Sequence, residues 1–213
     1  MRRKQRLGEE IANSITHGIG VILSCIVLVA LIIVSVSSGD VWRVVSLSIY
    51  GATLIFLYLS STIYHALTHK QAKHFFEVLD HIGIYLLIAG TYTPIVLVSL
   101  RGPWGWSLFG CVWGLAVIGI LLTIFARKKF MIFTALVSII MGWLIVIAIK
   151  PLIASAPIEL IIWLFFGGLF YTFGVIFYIC QNIPYHHTIW HLFVLLGSAC
   201  HFFGLFYYIA MPG

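Results

Sequence analysis

The chain has 213 residues, 62% of them hydrophobic and only 8% charged, whereas a soluble domain carries about 25% charged and about 45–50% apolar residues. That composition excludes a soluble fold. Its 12 Lys+Arg against 6 Asp+Glu sit in short loops and at one end, not in a basic patch interleaved with aromatics, so they read as membrane topology and no nucleic-acid partner is expected.

The opening MRRKQRLGEEIANS is basic and then polar for too long to start a signal peptide, and no small-residue cleavage site follows the first apolar run. Residues 1–17 are therefore expected to stay as a cytoplasmic segment ahead of a membrane domain of residues 18–213. A spanning helix needs about 20 apolar residues, each rising about 1.5 Å through a hydrocarbon core about 30 Å thick. Seven stretches qualify, at approximately 18–36, 44–65, 80–100, 104–125, 130–149, 158–180 and 187–210, separated by the turn or charge signals SSGD, HKQAK, RGP, ARKK, KP and QNIP. Backbone inside a bilayer must satisfy its own hydrogen bonds, so the expectation is an all-α integral membrane protein, a seven-transmembrane helical bundle of continuous helices. No internal repeat and no broken helix pair argues for a transporter.

Orientation follows from Lys and Arg in the short loops. Arg2, Arg3, Lys4, Arg6, Lys70, Lys73, Arg127, Lys128 and Lys129 fall on one side, nine in all, and Arg43, Arg101 and Lys150 on the other, three in all. The excess predicts a cytoplasmic N-terminus and, after seven crossings, an outside C-terminus, in the plasma (cytoplasmic) membrane. Trp42, Trp104, Trp106 and Tyr185 stand near segment ends as interface anchors. Cys25, Cys111, Cys180 and Cys200 lie in separate apolar segments without CxxC spacing, so buried packing residues are expected rather than a disulfide framework or a zinc ribbon.

Ionisable residues within spans are expensive and point to function. His65 ends the second stretch, Asp80 and His81 open the third, and His187, His191 and His201 belong to the seventh. The alternating topology puts His65, Asp80, His187 and His191 at one depth, near the cytoplasmic leaflet. His187 and His191 are four apart and share a helical face. Three imidazoles and a carboxylate at one level suit zinc, which takes three protein ligands and water at a catalytic site. Ser61, one turn before His65, could support a ligand or face a substrate. Each residue also has a plainer reading: an interfacial histidine, a cross-bundle hydrogen bond, or for Asp80 a helix N-terminal acid favoured by the macrodipole. His201 lies about 21 Å deeper than His187 and is expected to make a separate buried contact. His81 projects about 100° from Asp80 and should face another helix. His69, His74 and His186 are expected to be solvated. Glu9, Asn13 and His17 recur every fourth residue as a polar stripe that could dock on the bundle.

EEIANSITHGIG at the start, Ser61-Thr-Ile-Tyr-His65, Leu79-Asp80-His81 followed by AGTYTP, and His187-Thr-Ile-Trp-His191 leading into LLGSACHFFG together resemble the haemolysin III branch of the progestin and adipoQ receptor family, within the wider superfamily that includes alkaline ceramidases. The resemblance spans essentially the whole chain. It implies zinc held by His65, His187 and His191, with Asp80 meeting the metal through water and Ser61 beside it. On this basis the expected function is zinc-dependent hydrolysis of an amide or ester bond in a membrane lipid, with Asp80 as general base and Ser61 as a hydrogen-bond donor to the developing oxyanion. A non-enzymatic membrane sensor with structural zinc and a cytolysin are the alternatives. Membrane lipids are the expected partners.

Overall fold

In a computed structural model of the chain, residues 5–125 and 131–211 are described, with side chains for 5–125 and 134–211. Every regular element among these residues is helical: α1 (Leu7–Val36), α2 (Val41–Ala66), α3 (Lys70–Pro94), α4 (Pro103–Phe125), α5 (Met131–Trp143), α6 (Ile149–Ser155), α7 (Ile158–Ile179) and α8 (His186–Leu205). Among the described residues, seven spans are long and apolar enough to cross a membrane, with α5 and α6 together forming the fifth. The chain is thus a seven-span integral membrane protein. Of the basic residues used for orientation, Arg2, Arg3, Lys4, Arg127, Lys128 and Lys129 lie outside the described residues.

The first span is polar inside and apolar outside. α1 buries Glu9, Asn13, His17, Gly20, Ser24, Leu31 and Ser35 along one face, while Ile11, Ile15, Ile19, Ile22, Ile26 and Ile33 are exposed on the rest. Lipid tails are as apolar as leucine, so burying leucine gains little, and polar groups turn inward where other helices satisfy them. The helix starts at Leu7, well before the apolar run, because the Glu9 carboxylate accepts the Arg6 N–H at 2.8 Å and closes the first turn. The polar stripe does dock on the bundle.

Two other starts differ from the hydropathy reading. α3 begins at Lys70, where a His69 ring nitrogen accepts the Ala72 N–H at 3.4 Å. Asp80 is therefore mid-helix and buried, about 15 Å past the first residue, which removes its reading as an N-terminal acid. Pro94 has no N–H for the carbonyl four residues back, and the helix continues from it as a π-turn over Ile95–Ser99. The fifth span, expected to be continuous, is broken: between α5 and α6 the backbone tightens into a 3-10 turn over Leu144–Ala148. The Tyr92 hydroxyl from α3 occupies the break, accepting the Ile145 N–H at 2.8 Å and donating to the Gly142 carbonyl at 2.9 Å. A side chain inserted into the backbone ladder is a recognised cause of such a break.

α1 packs on α2 and α8, α2 on α3, α3 on α4, and α7 on α8, whereas α5 meets α3, α4 and α7 only sparsely. The α2–α3 approach is close: a Cβ on Gly83 would stand 3.0 Å from the Leu57 Cα. Where packing is thin, a cavity of about 510 Å³ opens between α3, α5, α7 and α8. At mid-depth Ser198 of α8 gathers phenols from two other helices, Tyr58 at 2.7 Å and Tyr171 at 2.8 Å. The cysteines depart from expectation: Cys25, Cys111 and Cys180 are exposed, Cys200 is half-buried, and all four are free thiols. In an apolar environment a small thiol packs as well outward as inward.

Candidate metal centre

The last turn of α2 and the first two turns of α8 meet at one end of the bundle. They bring together His65, His187 and His191, each offering a ring nitrogen within 4.8 Å of the others. The ring centroids are 5.1 Å apart for His65–His187 and for His65–His191, and 4.6 Å for His187–His191. His65 and His191 are 4% and 1% exposed. Such burial demands partners for every ring nitrogen, and the partners fall on one side only. His65 Nδ1 lies 2.8 Å from a Glu10 carboxylate oxygen, and His191 Nδ1 donates to the Asn13 carbonyl at 3.3 Å. On the inner side, His65 Nε2 and His187 Nε2 have no hydrogen-bond partner among the described residues. Two outer nitrogens engaged, two inner nitrogens unpartnered, and one ring nitrogen from each of the three within 4.8 Å of the others make an arrangement able to hold a cation.

Asp80 of α3 is 8% exposed and lies within electrostatic range of His65 and Ser61. It lines the cavity together with His187 and His191. Ser61 is 0% exposed, and its hydroxyl approaches the Asp80 carboxylate without completing a well-formed hydrogen bond among the described residues. It does not line the cavity. Ser61 therefore sits beside Asp80 and off the cavity wall.

The remaining histidines separate clearly. His201 lines the far end of the cavity and contacts the Leu164 carbonyl through Nε2 at 3.2 Å, apart from the triad. His81 faces α7 as expected, its Nε2 3.3 Å from the Tyr178 hydroxyl. His186, expected to be solvated, is buried, and its Nδ1 donates to the Phe177 carbonyl at 2.9 Å, tying the start of α8 to the end of α7. Tyr185 ahead of it has φ 56°, and its N–H is held by the Glu9 carboxylate at 3.0 Å. That contact sets the entry angle of the helix carrying two of the three histidines.

The contribution of α1 is larger than the sequence suggests. Asn13 accepts from the Thr188 hydroxyl, donates to the Gln5 side chain at 2.9 Å, and supplies the carbonyl that His191 uses. His17 stacks on His191 with centroids 3.5 Å apart and planes 12° from parallel. Glu10, overlooked in the sequence beside Glu9, touches both His65 and, at 3.2 Å, Lys73. Its signal was available: a carboxylate is rare in a chain with 6 acidic residues, and one near a membrane span needs a partner.

A family model described as Haemolysin-III related matches residues 5–202. The chain is 51% identical over 205 residues to a Hemolysin-3 homolog of Bacillus subtilis (strain 168), covering 96% of each chain. It is 47% identical over 208 residues to Hemolysin-3 of Bacillus cereus, covering 98% of this chain and 95% of that one. Monocyte to macrophage differentiation factor of Homo sapiens is 28% identical over 214 residues, covering 98% of this chain and 87% of the human one. With a family match over most of its length and two relatives near half identity from end to end, this seven-span chain belongs to the haemolysin III-related family.

Proposed function

We propose that the chain is a zinc-dependent hydrolase of amide or ester bonds in membrane lipids. In this reading it lies in the plasma membrane with its N-terminal segment, residues 1–17, and its histidine centre on the cytoplasmic side, and residues 18–213 form the membrane domain. The observation that carries the proposal is the pair of buried, unpartnered inner nitrogens on His65 and His187, converging with His191 beside a carboxylate at one end of a cavity walled largely by apolar side chains. An unpaired buried ring nitrogen is costly, and three neutral imidazoles leaving a fourth position open form a donor set that fits zinc.

Zinc held there would supply Lewis acidity toward a carbonyl oxygen and acidify water. Asp80 would accept the proton of the attacking water as its oxygen bonds to the carbonyl carbon, then deliver it to the departing nitrogen or alkoxide as the C–N or C–O bond breaks. Ser61 would hold Asp80 in position from behind. Ile84, Ile88 and Ile145 on the cavity wall would take the hydrocarbon part of the substrate and exclude bulk water.

Purified protein in lipid nanodiscs, supplied with acyl-amide and acyl-ester lipids and analysed for free fatty acid, tests this. Wild type should release fatty acid, and Asp80→Asn should lower the rate about 10²-fold or more while retaining zinc. Zinc-loaded wild type that cleaves none of them would end the hydrolase reading. Full physiological activity in Asp80→Asn would instead favour a clamp, since the three ligands come from α2 and α8 and would pin those two helices together.

A further inference from the structure

We infer that Glu10 is a positioning residue of the histidine centre: its carboxylate makes His65 the Nδ1–H tautomer and so turns the Nε2 lone pair toward the cation. This rests on the reading of the triad as a metal site. It goes beyond that reading by assigning a role to a residue of α1 that contributes no ligand.

The geometry leaves His65 two neighbours at Nδ1. Glu10 Oε2 is 2.8 Å away, and the Asn13 side-chain nitrogen is 3.4 Å away. They ask for opposite tautomers. An ionised carboxylate can only accept, so it calls for a proton on Nδ1; an amide nitrogen can only donate, so it calls for a bare Nδ1 and puts the proton on Nε2. In the structure the Asn13 oxygen accepts from Thr188 and its nitrogen donates to Gln5, which leaves the amide nitrogen as the atom facing His65. The shorter, charge-assisted contact to Glu10 prevails. Without Glu10 the amide would be the remaining neighbour and would favour the tautomer whose proton blocks the inner nitrogen.

Lys73 holds Glu10 in place. Its ammonium is 3.2 Å from the same carboxylate oxygen, 3.0 Å from the Tyr64 carbonyl and 4.7 Å above the Tyr64 ring. Helices α1, α2 and α3 thus meet at one carboxylate, whose charge is balanced by an ammonium. A merely structural bridge is the competing account. The side chains of Glu10 and Lys73 are 23% and 26% exposed, and ion pairs that accessible add little to stability, whereas the His65 side chain between the helices is 1% exposed.

The test is zinc affinity of metal-stripped, detergent-purified protein, measured by competition with a chromophoric chelator for wild type, Glu10→Gln and Glu10→Ala, beside the thermal midpoint of each metal-free form. Glu10→Ala should weaken zinc binding about 10–100-fold, and Glu10→Gln, which keeps an acceptor oxygen but no charge, roughly 3–10-fold. Metal-free midpoints should coincide. Affinity within threefold of wild type in Glu10→Ala overturns the inference, as does a loss matched by an equal fall in metal-free stability. Should Glu10→Ala fail to fold, an unchanged affinity in Glu10→Gln overturns it alone. Wild type that binds no zinc sinks the metal reading itself, a different result from any of these.

Discussion

Replacing Tyr92 by Phe removes one oxygen from the wall between the third and fifth spans. That hydroxyl stands between the Ile145 N–H, at 2.8 Å, and the Gly142 carbonyl, at 2.9 Å, two groups that a 3-10 turn would pair directly. Tyr92 is 5% exposed and, with Gly142 and Ile145, borders the cavity, so the cost depends on what the two freed groups meet there. If both groups were left bare the cost would be about 2–6 kcal/mol, at about 1–3 kcal/mol each. If the turn closes and they find one another, the loss falls toward the roughly 0.6 kcal/mol typical of a side-chain hydrogen bond inside a membrane protein. The groups are already one turn apart, so partial closure is expected, and about 1.5 kcal/mol of destabilisation follows. That is roughly a tenfold shift in the folded-to-unfolded ratio, readable by reversible unfolding in mixed detergent micelles. A change below about 0.3 kcal/mol would show that Tyr92 does not hold the break, and the account of the fifth span would fail.

Three further outcomes follow from the packing. Gly83→Ala places a methyl 3.0 Å from the Leu57 Cα and 2.9 Å from its Cδ1, forcing α2 and α3 apart one turn from Asp80; overpacking of this kind costs about 1–3 kcal/mol, and both thermal stability and fatty-acid release should fall. Ser198→Ala strands the Tyr58 and Tyr171 hydroxyls that now meet at its Oγ, and unfolding measurements should record a loss of about 1–2 kcal/mol with zinc content unchanged. His17→Phe keeps a ring stacked on His191 whereas His17→Ala removes it, so zinc affinity measured by chelator competition should fall severalfold only in the alanine variant.

The seven spans and the three convergent histidines are legible in the sequence because each rests on a local quantity: apolar length for the spans, and helical phase plus membrane depth for His65, His187 and His191. What escaped is tertiary. Asp80 looked terminal because hydropathy rises there, yet α3 extends back to Lys70, since a span can carry polar turns beyond the hydrocarbon once His69 caps them. The break in the fifth span depends on a hydroxyl from α3, and nothing in the residues 144–148 themselves announces it. The cysteines show the limit most plainly: in a helix apolar all round, periodicity does not tell a lipid-facing position from a buried one. Glu10 was hidden for the related reason that the rotation of α1, which decides what Glu10 meets, is set by Asn13 and Glu9 docking on α8.

Elemental analysis of the detergent-purified protein, run beside His65→Ala and the double variant His187→Ala/His191→Ala, bears most directly on the histidine centre. About one zinc per chain in the wild type, lost in both variants while they remain folded, is the result predicted by three imidazoles that converge within 4.8 Å. A folded wild type carrying no metal, or zinc retained in both variants, would contradict it and leave the three histidines as packing residues.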